Sequence, residues 1–287
     1  AKSRGLLVSY LDGRNRDGVV IRDNGIGQDS CACVLGRRSQ CAAASHRDAA
    51  DTCHARPSRA SGIGQRIDES PDERCRDQGQ VRLVALARDD DNSSGQVALP
   101  DGMSLNFYGE GADRHFYVNN NGNVTFDAPN EAYDPTDITW TDITGDTGNR
   151  IIAPYFSDVD TRDASFNPVT YGFGMIAGTS IPALNGRRAV CVNYAYVGPF
   201  GYDPTGDPPF GVDENGIALT VNAQVLLVEK LDAEGAPTSN FDILTNYGSI
   251  QWDKGEAQDR SAVVGFSGGT GTPGTFSMLE GSLVPGA

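Results

Sequence analysis

Two short blocks between Asn119 and Arg162 constrain the fold of this 287-residue chain more than any other part. The first reads Asn119-Asn120-Asn121-Gly122-Asn123-Val124-Thr125-Phe126. An Asn-Gly pair flanked by strand formers suits the positive φ angles of a type I′ hairpin turn. This block therefore predicts a hairpin linking His115–Val118 to Asn123–Phe126, with Gly122 at positive φ. The second block, Ile151-Ile152-Ala153-Pro154-Tyr155-Phe156-Ser157-Asp158-Val159-Asp160-Thr161-Arg162, is an apolar run that stops at two carboxylates. On a strand, the i, i+2 spacing of Asp158 and Asp160 puts both side chains on one face.

The same pattern of short apolar runs and turn signals continues from Val81 to the end. Strands are expected at Val81–Leu86, Ser104–Tyr108, His115–Val118, Asn123–Phe126, Arg150–Phe156, Val169–Phe173, Ala189–Tyr196, Ile217–Lys230, Asn240–Tyr247 and Ser261–Ser267. Asn185-Gly186, Asp203-Pro204-Thr205-Gly206, Glu214-Asn215-Gly216 and Gly268-Gly269 punctuate them. Many short strands with regular punctuation, in a chain holding 35 glycines, point to an all-β, antiparallel β-sandwich or barrel. The longest run, Ile217–Lys230, is expected to cross the centre of a sheet. No internal repeat is evident.

Composition changes near Gln80. Residues 1–80 hold 12 Arg and one Lys against 11 acidic residues, and Tyr10 is their one aromatic residue. Such a segment buries too little apolar surface to offset its own backbone entropy. It also holds five of the six cysteines, Cys31, Cys33, Cys41, Cys53 and Cys75. Cys-dense segments read as disulfide-stapled and secreted. Residues 1–83 are therefore expected to be an irregular, Cys/Arg-rich N-terminal segment, either disulfide-held or disordered, with a translation artefact as a third reading. Residues 84–287 are expected to be the β-sandwich domain. Ala1-Lys2-Ser3-Arg4 is not followed by the apolar core of a signal peptide, and a start at Ala fits a removed leader or a fragment.

The net charge of −15 is concentrated after residue 80. A surface this acidic repels nucleic acid and anionic membranes and favours cations and basic partners. No run approaches the roughly 18 apolar residues that cross a bilayer, so no membrane span is expected.

Several blocks, in order, resemble the NIDO (nidogen-like) family. They are Asp89-Asp90-Asp91 leading to Leu105-Asn106-Phe107-Tyr108-Gly109, then Phe116-Tyr117-Val118-Asn119-Asn120-Asn121-Gly122, then the Ala153–Arg162 block. Val221-Asn222-Ala223-Gln224-Val225-Leu226-Leu227 follows, then Asn240-Phe241-Asp242-Ile243, Asn246-Tyr247, Ile250-Gln251-Trp252 and Ala262-Val263-Val264-Gly265-Phe266-Ser267-Gly268. The resemblance covers roughly residues 84–287. It implies a secreted extracellular module with a structural or adhesive role, extracellular proteins or glycans (or copies of itself) as partners, and no catalytic residue. Cys191 departs from the pattern, which has Thr, Gly or Ser there. It lacks an evident partner within the module, so a buried free thiol is the plain reading.

Few residues carry chemistry. Asp158, Asp160 and Asp163 are candidate calcium ligands, with Asp127 or Asp134 across a loop. Calcium takes six to eight oxygens, often clustered carboxylates and carbonyls. The competing reading is that Asp158 or Asp160 pairs with Arg162 or Arg150 and caps backbone amides. A glycosidase would need two carboxyls flanking a cleft, but only Trp140 and Trp252 offer stacking platforms. Cys41, His46, Cys53 and His54 fit no regular zinc spacing. His115 is the sole histidine after residue 80, and no nucleophile elbow accompanies it. Asn92-Ser93-Ser94 and Asn123-Val124-Thr125 are formal glycosylation sequons. The expected function is thus an extracellular structural or adhesive module and no enzyme. A calcium- or carbohydrate-binding surface domain and a self-assembling filament or matrix subunit are the alternatives.

Overall fold

The computed structural model describes residues 5–9, 21–24, 83–109, 111–136, 143–176 and 182–285. Fourteen strands are ordered β1 Gly5–Ser9, β2 Ile21–Asn24, β3 Val84–Ala85, β4 Ser93–Ala98, β5 His115–Asn119, β6 Asn123–Thr125, β7 Ile151–Phe156, β8 Val159–Asp160, β9 Thr170–Met175, β10 Arg188–Pro199, β11 Val221–Leu231, β12 Pro237–Ile250, β13 Val263–Ser267 and β14 Phe276–Met278. Apart from one 3₁₀ turn at Pro182–Leu184, no helix occurs among the described residues. All strand pairs are antiparallel. The larger sheet runs β2-β1-β12-β11-β10-β9-β3, with β8 pairing β10, and the smaller runs β14-β13-β7-β6-β5-β4. The chain is an antiparallel β-sandwich.

The two sheets enclose one main core, built from Phe107, Phe116, Val118 and Ile152 on one side and Tyr194, Val225, Leu227 and Phe241 on the other. Each fully buried aromatic removes on the order of 150–250 Å² from water, so these rings set the spacing between sheets. Phe107 packs on Phe126 at 4.9 Å between centroids and on Phe241 at 6.0 Å. Polar tips inside the core are paired. Tyr194 Oη donates to the carbonyls of Asn123 (2.8 Å) and Asn119 (3.2 Å), tying β10 to the hairpin of the other sheet.

Strand β7 is buried at every position. Ile152 faces the main core, whereas Ile151, Ala153 and Phe156 belong to a second cluster with Ile143 and Val263. This explains a continuous apolar run where one-sided burial would give alternation. Pro154, which cannot donate to a ladder, sits where β7 carries an extra residue: Phe156 faces Val263, but Ala153 faces Gly265. A bulge is the position that tolerates proline inside a sheet.

Several expectations shift in detail. Ser104–Tyr108 forms a single bridge, Leu105 to Asp113, in place of a strand. The run expected at Ile217 joins the sheet only from Val221, because Ile217 closes a turn in which its N–H donates to Asp213 Oδ1. β11 does lie centrally, between β10 and β12. β1, β2, β4, β8 and β14 fall outside the expected strands. β1 and β2 lie in the segment expected to be irregular, and β1 pairs with β12. β4 and β14 are edge strands, and β4 reads Ser-Ser-Gly-Gln-Val-Ala, with one buried position. Edge strands need no apolar face.

The hairpin differs from type I′. Asn119 pairs with Asn123, leaving the three-residue loop Asn120-Asn121-Gly122. Gly122 has φ +75° as expected, but Asn121 is not at positive φ, which fits a three-residue loop ending in a left-handed residue. Cys191 is disulfide-bonded, which corrects the free-thiol reading. It is the one cysteine among the described residues. The remaining cysteines, His46, His54 and Trp140 also lie outside the described residues.

Candidate functional site

The tip of the β5–β6 hairpin organises the acidic end of the sandwich. Asn119, Asn120, Asn121 and Asn123 are all at most 1% exposed. Unpaired buried amides cost on the order of 1–3 kcal/mol each, and these are bonded. Asn119 Nδ2 donates to Asn123 Oδ1 and Thr125 Oγ1, and its Oδ1 accepts the N–H of Asn130. Asn120 Nδ2 donates to the carbonyls of Asp89 (3.1 Å), Asp90 (2.5 Å) and Val159 (2.5 Å). Asn121 Nδ2 donates to Asp91 Oδ1 at 2.8 Å, and its Oδ1 accepts the Val159 N–H at 2.8 Å. Two amides therefore hold the Asp89–Asp91 segment against the start of β8.

That segment is the crossing between sheets, since β3 belongs to the larger and β4 to the smaller. The result is a cluster assembled from distant chain positions. One carboxylate oxygen from each of Asp90, Asp91 and Asp158 lies within 4.8 Å of the others. Asp158 is 2% exposed. Burial, and then the negative neighbours Asp90, Asp91, Asp160 and Asp134, push its carboxyl up to about 8. Burial and Asp91 likewise raise Asp90 to about 6. Asp91 is also raised, chiefly by burial. Like charges in a shared dry site favour the protonated form.

The three expected calcium ligands do not converge. Asp160 is held by Arg162, whose Nη2 reaches Asp160 Oδ2 at 2.6 Å, and it caps the Arg162 N–H at 2.8 Å. Asp163 is exposed and its Oδ1 accepts the Ser165 N–H, which holds its carboxyl below the usual range. Asp158 alone joins the cluster, with Asp90 and Asp91 as its companions. The pairing reading thus describes Asp160. Asp127 pairs with Arg150, which also grips Asp113 at 2.8 Å. Asp134 accepts from Thr136 and from the Asp259 N–H. Asp90 and Asp91 escaped the sequence reading because 67 positions separate Asp91 from Asp158 and only the crossing and the hairpin tip bring them together. The run of three aspartates before a turn was the available signal.

Other candidates are placed structurally. Trp252 is 7% exposed, with Nε1 donating to the Val197 carbonyl and its ring edge-on to Tyr155 at 5.4 Å. It is a core residue, closed to a sugar. His115 packs edge-on against Tyr117. Asn123 is fully buried, so its sequon is closed in the folded chain, whereas Asn92 is partly exposed. No helix among the described residues is long and apolar enough to cross a membrane.

In this two-sheet sandwich the buried Asn-Asn-Asn-Gly tip ties an acidic crossing to the start of β8. Residues 114–205 match the family model of the nidogen-like domain, NIDO. The match opens one residue before β5 and includes both the Asn119–Phe126 and Ile151–Arg162 blocks, so the NIDO resemblance holds over that span. Strands β1–β4 and β11–β14 lie outside the match and belong to the same two sheets. No curated protein and no solved structure matches the chain.

Proposed function

We propose that the chain is a secreted, extracellular structural and adhesive module that makes cell–matrix or surface-assembly contacts. The observation that carries this reading is the nidogen-like match across residues 114–205. Composition agrees with it. A net charge of −15 keeps the chain soluble and favours basic partners. Arg162 is exposed beside the crossing, with Asp160 half-buried beneath it, and the buried asparagines maintain shape. Extracellular proteins or glycans are the partners this reading requires.

The test is adhesion. Purified chain immobilised on a surface should retain cells, or capture matrix proteins from solution, in a dose-dependent manner that weakens with salt. A surface that retains neither cells nor matrix proteins above a serum albumin control overturns the reading. Sedimentation of the free chain separates the self-assembling alternative, which requires growth of oligomers with concentration.

A further inference from the structure

We propose that Asp90, Asp91 and Asp158 hold one hard divalent cation, calcium by size and ligand type, that fastens the crossing between the two sheets to the end of β7. This is a site of different composition from the one the sequence suggested, and it does not rest on the adhesive role.

The first observation is geometric. The three carboxylate oxygens lie within 4.8 Å of one another. Calcium–oxygen distances are about 2.3–2.6 Å, so two oxygens on opposite sides of one ion are separated by about twice that. All three groups can therefore reach a single ion. Magnesium binds at about 2.0–2.1 Å and prefers to keep its waters, so this wider arrangement suits it less. No histidine or cysteine takes part, which disfavours zinc and copper.

The second observation is that the Asp158 carboxylate and one oxygen of Asp90 lack partners. Asp158 is 2% exposed. Among the described residues no N–H or O–H donates to its carboxylate, although its backbone N–H and carbonyl are both bonded. Asp90 Oδ1 is buried and has no hydrogen-bond partner. Among the described residues, other buried carboxylates have cations or donors against them: Asp134 receives three donors, Glu229 receives Arg188, and Asp242, although its Oδ1 also lacks a hydrogen bond, faces Arg187 and Lys230. Arg162 does not fill the role. It touches Asp90 Oδ2 at 3.0 Å, but its side chain is 53% exposed and it is shared with Asp160.

The third observation is that the surroundings of the carboxylates are fixed. Gly255 lies against Asp158, and a Cβ there would fall 2.7 Å from Oδ2. Glycine at this position leaves the carboxylate its space. The walls are fixed, since Asn121 orients Asp91 while Asn120 pins the carbonyls of Asp89 and Asp90. Backbone carbonyls and water would complete the coordination.

The experiment uses the full chain. Its melting temperature is measured in chelator and in millimolar calcium, with magnesium as comparison, and calcium binding is measured by titration calorimetry. An ion bound only by the folded state stabilises it by mass action. At about one hundred times Kd, the melting temperature should rise by about 5–10 °C for a domain of this size. Asp158→Asn and Asp91→Asn should each abolish most of that rise, while Asp163→Asn should keep it. Asp91→Asn carries the test if Asp158→Asn does not fold. Equal melting of the wild type in calcium and in chelator overturns the proposal, as does a calcium rise that survives in the Asp91 variant. Because the readout is stability, it stands apart from the adhesion assay, and either can fail alone.

Discussion

Asn121 and Asp91 meet at 2.8 Å, amide to carboxylate, although thirty positions separate them. The same Asn121 accepts the Val159 N–H. One buried amide thus joins the crossing, the hairpin tip and the start of β8. Asn121→Ala should leave a buried backbone N–H and a carboxylate oxygen without this partner, at a cost of about 2–4 kcal/mol. Urea denaturation measures it, and a loss below about 0.5 kcal/mol would show that the amide is not structural.

Gly122 is required for two reasons. Its φ is +75°, and a Cβ would fall 1.6 Å from the Tyr155 carbonyl oxygen. Backbone cannot step aside as a flexible side chain can. Gly122→Ala should therefore cost more than the roughly 1 kcal/mol of a positive-φ glycine alone, on the order of 3 kcal/mol. Gly235, at φ +82° with open space around it, supplies the comparison: Gly235→Ala should cost about 1 kcal/mol. Equal denaturation midpoints for the two variants would rule out the close approach.

Arg150 is the buried cation of the opposite end. It is 12% exposed, bonds both Asp113 and Asp127, and donates to the Phe107 carbonyl. Arg150→Ala leaves Asp113 uncompensated in a half-buried site and should cost about 3–5 kcal/mol. Arg150→Lys should recover only part of this, since an ammonium donates from a single nitrogen and cannot reproduce the planar fork that grips Asp113 through two nitrogens while also bonding Asp127. Full rescue by lysine, read from thermal melts, would argue against the bidentate geometry.

A pH dependence follows from the same pair. Partial burial opposes the ionised form of Asp127, but the hydrogen bonds and charge of Arg150 prevail and hold its carboxyl below the ordinary 3.8. A depressed folded-state value means the unfolded chain binds the proton more readily. The stabilisation is therefore present above the unfolded value and is lost as pH falls through the folded one. The stability gap between wild type and Asp127→Asn should be constant from pH 5 to 7 and shrink below about pH 4. A gap unchanged at pH 3 would contradict the pairing.

Cys191 gives a covalent prediction. Peptide mapping without reductant should recover Cys191 joined to a second cysteine-containing peptide. Reduction should lower stability by about 2–4 kcal/mol. Quantitative alkylation of Cys191 in the native, unreduced protein would overturn the disulfide.

The sandwich was legible because its interior strands are written as apolar runs between turn residues. Val190, Val192, Val225 and Leu227 are buried where the pattern put them. The edge strand β3 falls within the expected Val81–Leu86 run, but β4 and β14 were not legible, because they bury little and carry no periodic signal. The acidic site was half legible. Asp158 stands out at the end of β7, but its companions come from the other side of a crossing that only the assembled sheets define. Local spacing favoured Asp160 and Asp163, and short-range contacts with Arg162 and Ser165 hold both of them elsewhere.

Strand β7 also sets the order of events in time. Its outer partner is β13, through Ile152 to Phe266 and Ile151 to Ser267. A chain emerging from synthesis cannot complete the β7–β13 ladder until residue 267 has been made. Pairings of such long sequence separation make folding slow, and until then an apolar edge stands uncovered and open to other chains. Strand β7 is thus a seam between early and late chain, closed only by residues made more than a hundred positions after it (266 against 152).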